Sequence, residues 1–222
     1  MGCPEVKIIG HIETPFREKF GVPRQAGLVD YEARIVFEPE YRVAEAVRGL
    51  EEFEYLWLIW QFHLNTTDVT WSPTVRPPRL GGNRRVGVFA TRSPYRPNPI
   101  GLSAVRLLRI ERGPSLIVSG ADLVDGTPIL DIKPYITYAD SHSEARCGYA
   151  QEAPVDELRV EDPQGFLLQL PEESRQALLE TLRLDPRPRY QHDAARVYSM
   201  PFDRWVIRFS VDGDRCSLLS VD

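Results

Sequence analysis

Between Val69 and Ile110 the sequence holds eight arginines (Arg76, Arg79, Arg84, Arg85, Arg92, Arg96, Arg106 and Arg109) and no Asp, Glu or Lys. Lysine is scarce throughout, with Lys7, Lys19 and Lys133 the only three. The net charge is −5, so this +8 stretch leaves −13 for the remainder. A basic island in an acidic chain marks a local anion site, and guanidinium forks suit phosphate or carboxylate. Some of the eight are expected to pair with acids elsewhere in the fold instead.

Two further segments carry chemistry. Thr91-Arg92-Ser93-Pro94-Tyr95-Arg96-Pro97-Asn98-Pro99-Ile100-Gly101 is stiffened by three prolines, which would hold Arg92 and Arg96 at fixed positions. It reads equally as a rigid crossover between strands with solvated arginines. Asp122-Leu123-Val124-Asp125-Gly126 sets two carboxylates around a strand end, ahead of Thr127 to Tyr135. Such a pair can hold ribose hydroxyls, take a cation or act as a base. Ordinary turn capping uses the same residues.

Other chemistries find little support. His11, His63, His142 and His192 lack metal-ligand spacing, and Cys3, Cys147 and Cys216 form no CxxC pair. No metal and no disulfide framework is expected. No GxGxxG motif follows a strand. Gly82 and Gly87 have the outer spacing of a phosphate loop but no Lys-Ser/Thr follows, and Gly101-Leu102-Ser103-Ala104 lacks the last glycine of a nucleophile elbow. Dinucleotide oxidoreductases, phosphate-loop enzymes and metalloenzymes are disfavoured.

The elements that must position these residues read mostly as strands. Val6–Glu13, Tyr31–Phe37, Val86–Thr91, Gly101–Glu111, Ser115–Ala121 and Thr127–Ile132 show strand patterning. Phe53–Phe62 is a continuous apolar and aromatic run, read as a strand buried on both faces. Glu40–Arg48 has helical spacing and stops at Gly49. Asn65–Arg85 is a long loop rich in Pro and Gly, a length usually tied to function or disorder. The first half is therefore expected to be a closed β-barrel. The pattern fades between Asp140 and Glu161, giving a barrel domain at 1–145 and a small α+β domain at 146–222. In the latter a helix opens at Pro171 and runs to about Leu184, and strands span Arg196–Met200, Arg204–Val211 and Arg215–Val221.

At 222 residues, with 42% hydrophobic and 27% charged residues, the chain can fill such a core without staples. No apolar run reaches the roughly 18 residues of a membrane span. Met1 to Glu5 carries no basic or long apolar stretch, so no signal peptide or membrane is expected and the cytoplasm is the expected location.

The motifs TRSPYRPNPIG and DLVDGTPILDIKPY together strongly resemble the TsaA-like family, the TrmO-type tRNA methyltransferases. Thr14-Pro15-Phe16-Arg17, Pro23-Arg24-Gln25 and Leu56–His63 support the resemblance, which is dense from Val6 to Tyr138. It thins through Arg187-Pro188-Arg189-Tyr190-Gln191 and Arg196–Met200. It implies a β-barrel that binds S-adenosylmethionine without a Rossmann sheet. It implies N6-methylation of N6-threonylcarbamoyladenosine at position 37, beside the anticodon of threonine tRNA. It also implies a homodimer with the cofactor near the subunit interface.

Carried over motif by motif, the cofactor contacts fall on Pro23, Arg24, Gln25, Phe62, His63, Arg92, Leu102, Asp122, Leu123, Val124 and Asp125. The C-terminal part is implied to help hold tRNA. Arg76, Arg79, Arg84, Arg85, Arg96, Arg187, Arg189 and Tyr190 are the expected tRNA contacts, phosphate contacts setting register. Candidates for a general base are Asp125, His63 and Tyr135, and none is selected. The N6–H flanked by a carbamoyl carbonyl is acidic enough to lessen the need for one. A non-catalytic RNA-binding adaptor on the same barrel is the alternative, and a small-metabolite methyltransferase would leave the arginine island without a purpose.

Overall fold

The computed structural model describes residues 5–65, 71–77, 80, 84–151, 158–188, 191 and 193–222. In chain order, the first part forms β1 (Gly10–Glu13), β2 (Glu32–Phe37), β3 (Tyr55–Gln61), the short pair β4 (Thr74–Val75) and β5 (Val86–Gly87), then β6 (Ile100–Glu111), β7 (Ser115–Ser119) and β8 (Thr127–Pro134). Six of these close into a barrel in the order β1-β2-β7-β6-β3-β8, every neighbour antiparallel. Closure removes the free edges that a twisted sheet would otherwise expose. Ala33, Ile35 and Phe37 from β2, and Leu56, Leu58 and Trp60 from β3, point inward at every second position. Gly10 lets β1 approach β2, since a Cβ there would lie 2.5 Å from the Val36 carbonyl oxygen.

A one-turn helix α1 (Thr137–Asp140) follows the barrel. The second unit contains β9 (Arg159–Glu161), α2 (Glu172–Arg183), β10 (Val197–Phe202), β11 (Trp205–Asp212) and β12 (Arg215–Val221). Its sheet runs β10-β11-β12-β9, with β9 parallel to β12. Helix α2 buries Ala177, Leu178, Thr181 and Leu182 along one stripe. Glu172 and Glu173 sit in its first turn and Arg183 in its last, which suits the helix dipole.

The two units share one hydrophobic core. Phe16 meets Phe202 edge-on at 5.5 Å, and Phe20 stacks on Tyr198 and Phe209 at 6.2 and 6.3 Å. The Asp203 N–H donates to the Pro15 carbonyl at 2.6 Å, and the Asp30 N–H donates to Glu180 at 2.8 Å. Among the described residues no helix is long and apolar enough to cross a membrane.

Four local expectations change. The first strand starts at Gly10, with Val6 and Ile8 exposed ahead of it. The helix expected over Glu40–Arg48 is a 3-10 turn, Ala44–Val47, followed by a second at Leu50–Glu52; Gly49, at φ +82°, breaks the continuity. Strand β3 is not buried on both faces: Leu56, Leu58 and Trp60 are inside, whereas Trp57 and Ile59 are half-covered. Aromatics on both faces had concealed the alternation. Of Val86–Thr91 only two residues pair as a strand, and Val88–Ala90 turn in a 3-10 helix whose Val88 N–H donates to the Pro73 carbonyl at 3.0 Å.

Candidate functional site

A cavity of about 810 Å3 lies between the 22–25 loop, the end of β3 and the proline-stiffened segment before β6. Its floor is a short hydrogen-bond relay. The Trp60 indole N–H donates to Ser103 Oγ at 2.9 Å, and the Ser103 hydroxyl donates to Asp122 Oδ1 at 2.5 Å. Ser103 is 2% exposed. Gly101, two residues earlier on the same face of β6, has no room for a side chain: a Cβ would fall 2.2 Å from Trp60 Cε2. The indole plane therefore rests on the β6 backbone, and its N–H aims at Ser103. Burial pushes the Asp122 carboxyl above its ordinary range, opposed by the Ser103 hydroxyl, the Ala26 N–H and the nearby Arg92 charge. Neighbouring Tyr31 donates to the Ala121 carbonyl at 2.8 Å, and burial, then the Asp122 charge, raise its phenol well above the usual value.

One wall is the Pro23-Arg24-Gln25 loop. Gln25 donates to the Arg24 carbonyl, and its side-chain oxygen accepts from Arg92. The loop and the proline-rich segment are thereby joined. Arg96 donates to the Thr91 carbonyl at 3.1 Å, closing that segment on itself. Lys19 Nζ donates to the Leu64 carbonyl at 2.8 Å and to Asn65 Oδ1 at 3.0 Å, while Asn65 Nδ2 donates to the Pro94 carbonyl at 3.2 Å. The chain leaving β3 is thus tied to the same segment.

Phe62 packs edge-on to Trp60 at 4.3 Å and gives the cavity an aromatic wall. His63 stands beside it, its imidazole value lowered by partial burial first, then by His11 and Lys19. Phe89, Ile100 and Leu102 give the cavity an exposed apolar rim.

Most of the expected cofactor residues converge here: Pro23, Arg24, Gln25, Phe62, His63, Arg92, Leu102, Asp122 and Val124 all line the cavity. Leu123 does not; its side chain is buried in the barrel, and its carbonyl accepts from Thr14 Oγ1 at 3.1 Å. Asp125 does not either. Its carboxylate accepts from the Thr14 N–H at 2.9 Å and lines a separate 310 Å3 depression beside His11 and Glu38. The Tyr135 ring packs on Trp57 at 5.4 Å and on Tyr55 at 6.3 Å, outside the cavity lining. Of the three candidate bases only His63 faces the cavity.

The arginine island divides. Arg76, Arg84 and Arg85 are exposed, and among the described residues none of them has an ion-pair partner. Arg106 pairs with Glu54 at 3.2 Å and Arg109 with Glu32 at 2.6 Å. Arg187 departs from its expected place at the tRNA surface. It is 8% exposed and makes a two-pronged bond to Asp185 at 2.8 and 2.9 Å, because Asp185 turns back at φ +50° to meet it. Arg79, Arg189 and Tyr190 lie outside the described residues. Residue types alone missed Trp60, Ser103 and Lys19. The two-residue spacing of Gly101 and Ser103 on one strand face was the available signal. Among the described residues no cluster of His, Cys, Asp and Glu could hold a metal ion.

Comparison with known proteins agrees with this layout. The tRNA-methyltransferase O N-terminal domain matches residues 11–141 and the TrmO C-terminal domain matches residues 160–222. A tRNA (adenine(37)-N6)-methyltransferase of Escherichia coli K12 is 45% identical over 215 residues, covering 91% of this chain and 89% of its own. A putative S-adenosylmethionine-dependent methyltransferase, RcsF, of Pseudomonas aeruginosa is 47% identical over 195 residues, covering 84% and 83%. A crystal structure of TrmO from P. aeruginosa superposes with a TM-score of 0.79 at 34% identity, covering 100% of this chain and 98% of that one. With both units matched and identity sustained along nearly the whole length, the chain belongs to the tRNA-methyltransferase O family.

Proposed function

We propose that the protein is an S-adenosylmethionine-dependent tRNA methyltransferase that N6-methylates N6-threonylcarbamoyladenosine at position 37 of threonine tRNA, acting as a cytoplasmic homodimer. The observation that carries the reading is the largely buried Asp122 carboxylate at the foot of an aromatic-walled cavity with Arg92 at its rim. S-adenosylmethionine, when bound, supplies an electrophilic methyl group on a positively charged sulfur. The residues present fit that ligand in three ways. Phe62, packed edge-on to Trp60, offers an apolar ring face for a purine. Asp122 offers an acceptor for hydroxyls or compensation for the positive sulfur. Arg92 offers a fork for a carboxylate.

The remaining chemistry is positioning and proton removal. Arg92, bonded to a neutral amide and near the Asp122 carboxylate, offers its fork to a carboxylate on the methionine part or on the threonyl part of the substrate. His63, the candidate base that lines the cavity, has its imidazole lowered by partial burial, which favours the neutral form able to accept the N6 proton. The carbamoyl carbonyl spreads the charge left on N6, so a weak base suffices. Arg76, Arg84 and Arg85 meet tRNA phosphates and set its register.

Calorimetry with S-adenosylmethionine, followed by mass analysis of nucleosides from two tRNA preparations, tests this reading. Binding, with methylation only of tRNA carrying the threonylcarbamoyl group, is expected. Equal methylation of unmodified tRNA would overturn the substrate assignment, and the absence of both cofactor binding and methylation would favour the non-catalytic adaptor.

A further inference from the structure

The 21–27 loop supplies four cavity-lining residues in a row, Val22, Pro23, Arg24 and Gln25, yet much of its support comes from the second unit. Arg24 Nη2 donates to the Asp185 carbonyl at 2.9 Å and to the Arg187 carbonyl at 3.3 Å. Those carbonyls belong to a tight turn after α2. Asp185 sits at φ +50°, and its carboxylate accepts from the Arg187 N–H at 3.2 Å as well as from both prongs of the Arg187 guanidinium. Cys216 is packed close by, its thiol pushed up to about 12 by burial. At the start of the loop, Gly21 leaves no space for a side chain, since a Cβ would fall 2.2 Å from Met200 Sδ on β10. At its end, the Gly27 N–H donates to the Gly120 carbonyl at 2.8 Å.

We propose that Asp185 and Arg187 are positioning residues for the cofactor pocket: their ion pair fixes the two carbonyls that hold Arg24, and Arg24 holds the loop wall. The carbonyl pair is a geometric acceptor for one guanidinium nitrogen, and it exists only while the turn keeps its left-handed residue. Through Gln25 the same wall reaches Arg92. The C-terminal unit therefore shapes cofactor affinity directly, in the absence of any tRNA. This rests on the cofactor assignment above.

The test measures S-adenosylmethionine affinity by calorimetry without tRNA. Asp185→Asn keeps a residue that tolerates positive φ but removes the charge that gathers Arg187. Affinity is expected to fall about 5- to 10-fold in an otherwise native chain, and by less than about twofold when Arg24→Ala is already present. Arg187→Lys keeps the charge but loses the fork, so an intermediate loss is expected, and it carries the test if Asp185→Asn does not fold. Hydrogen exchange of the Val22–Gly27 amides is expected to quicken in both variants. Unchanged affinity and exchange in a folded variant, or the same loss with and without Arg24, would overturn the proposal. If the native chain itself bound no S-adenosylmethionine, the cofactor assignment would fall, while the exchange measurement would still decide whether the turn holds the loop.

Discussion

Arg92 and Arg109 belong to one basic stretch of sequence, yet the fold gives them opposite circumstances. Arg109 lies on β6, and both its prongs meet the Glu32 carboxylate of β2 at 2.6 and 2.8 Å. Arg106, on the same strand, reaches Glu54 just before β3. Barrel register brings acids opposite these two, and their charge is cancelled at the surface. Arg92 lies in the irregular segment ahead of β6 and bonds the neutral Gln25 amide, with the Asp122 carboxylate near enough to feel its charge. Arg96 bonds a carbonyl, and Arg76, Arg84 and Arg85 have no ion-pair partner among the described residues. A neutral partner orients a guanidinium without spending its charge. The usable positive charge is therefore concentrated before the strand begins, with Arg92 and Arg96 lining the cavity, although composition spreads it evenly.

This contrast is open to direct attack. Arg92→Ala is expected to lower kcat/KM by about 10- to 100-fold, the worth of one or two charge-assisted hydrogen bonds, with the melting temperature unchanged. Arg109→Ala should leave catalysis where it was; a comparable loss in both would erase the distinction. Asp122→Asn sharpens it from the acidic side. Burial sets the folded carboxyl above its unfolded value, so the folded state binds the extra proton and stability declines as pH rises through that interval. Above it the ionised side chain is a standing cost. Removing the charge should therefore raise the melting temperature at pH 7 while weakening S-adenosylmethionine binding. A lower melting temperature in thermal scans would mean that Ser103 and Ala26 already offset the cost. The smallest effect is on salt dependence. Arg84→Ala with Arg85→Ala should reduce the slope of log tRNA affinity against log salt by about 1 per lost phosphate contact, and Arg106→Ala with Arg109→Ala should not change it. Equal slopes in the two double variants would place the tRNA elsewhere.

Much of the barrel was legible because inward residues alternate cleanly, as in Ala33, Ile35 and Phe37. Alternation failed as a guide in β3, where Trp57 and Ile59 are as apolar as their inward neighbours and are half-covered from outside. The cavity was legible as motifs, not as a shape. Pro23 to Gln25, Arg92 and Asp122 stand far apart in sequence, and only closure of the barrel and the Gln25–Arg92 bond bring them together. Asp125 and Asp122 look alike in one short motif, but the turn at Gly126, with φ +73°, follows a residue already committed to Thr14. Arg187 looked like a surface cation among prolines. Its partner stood two residues earlier, and what sequence could not show was the left-handed backbone that lets Asp185 reach it.

Phe20 has a thermodynamic consequence. Its ring belongs to the first unit by sequence, but it stacks against Tyr198 and Phe209 of the second, which also stack on each other, and Phe16 likewise meets Phe202. Pulling the units apart would wet four or five large rings at once, several kcal/mol at about 25 cal/mol per Å2. These shared rings couple the barrel to the second unit, so melting is expected as a single cooperative event with one heat-absorption peak and one heat-capacity step.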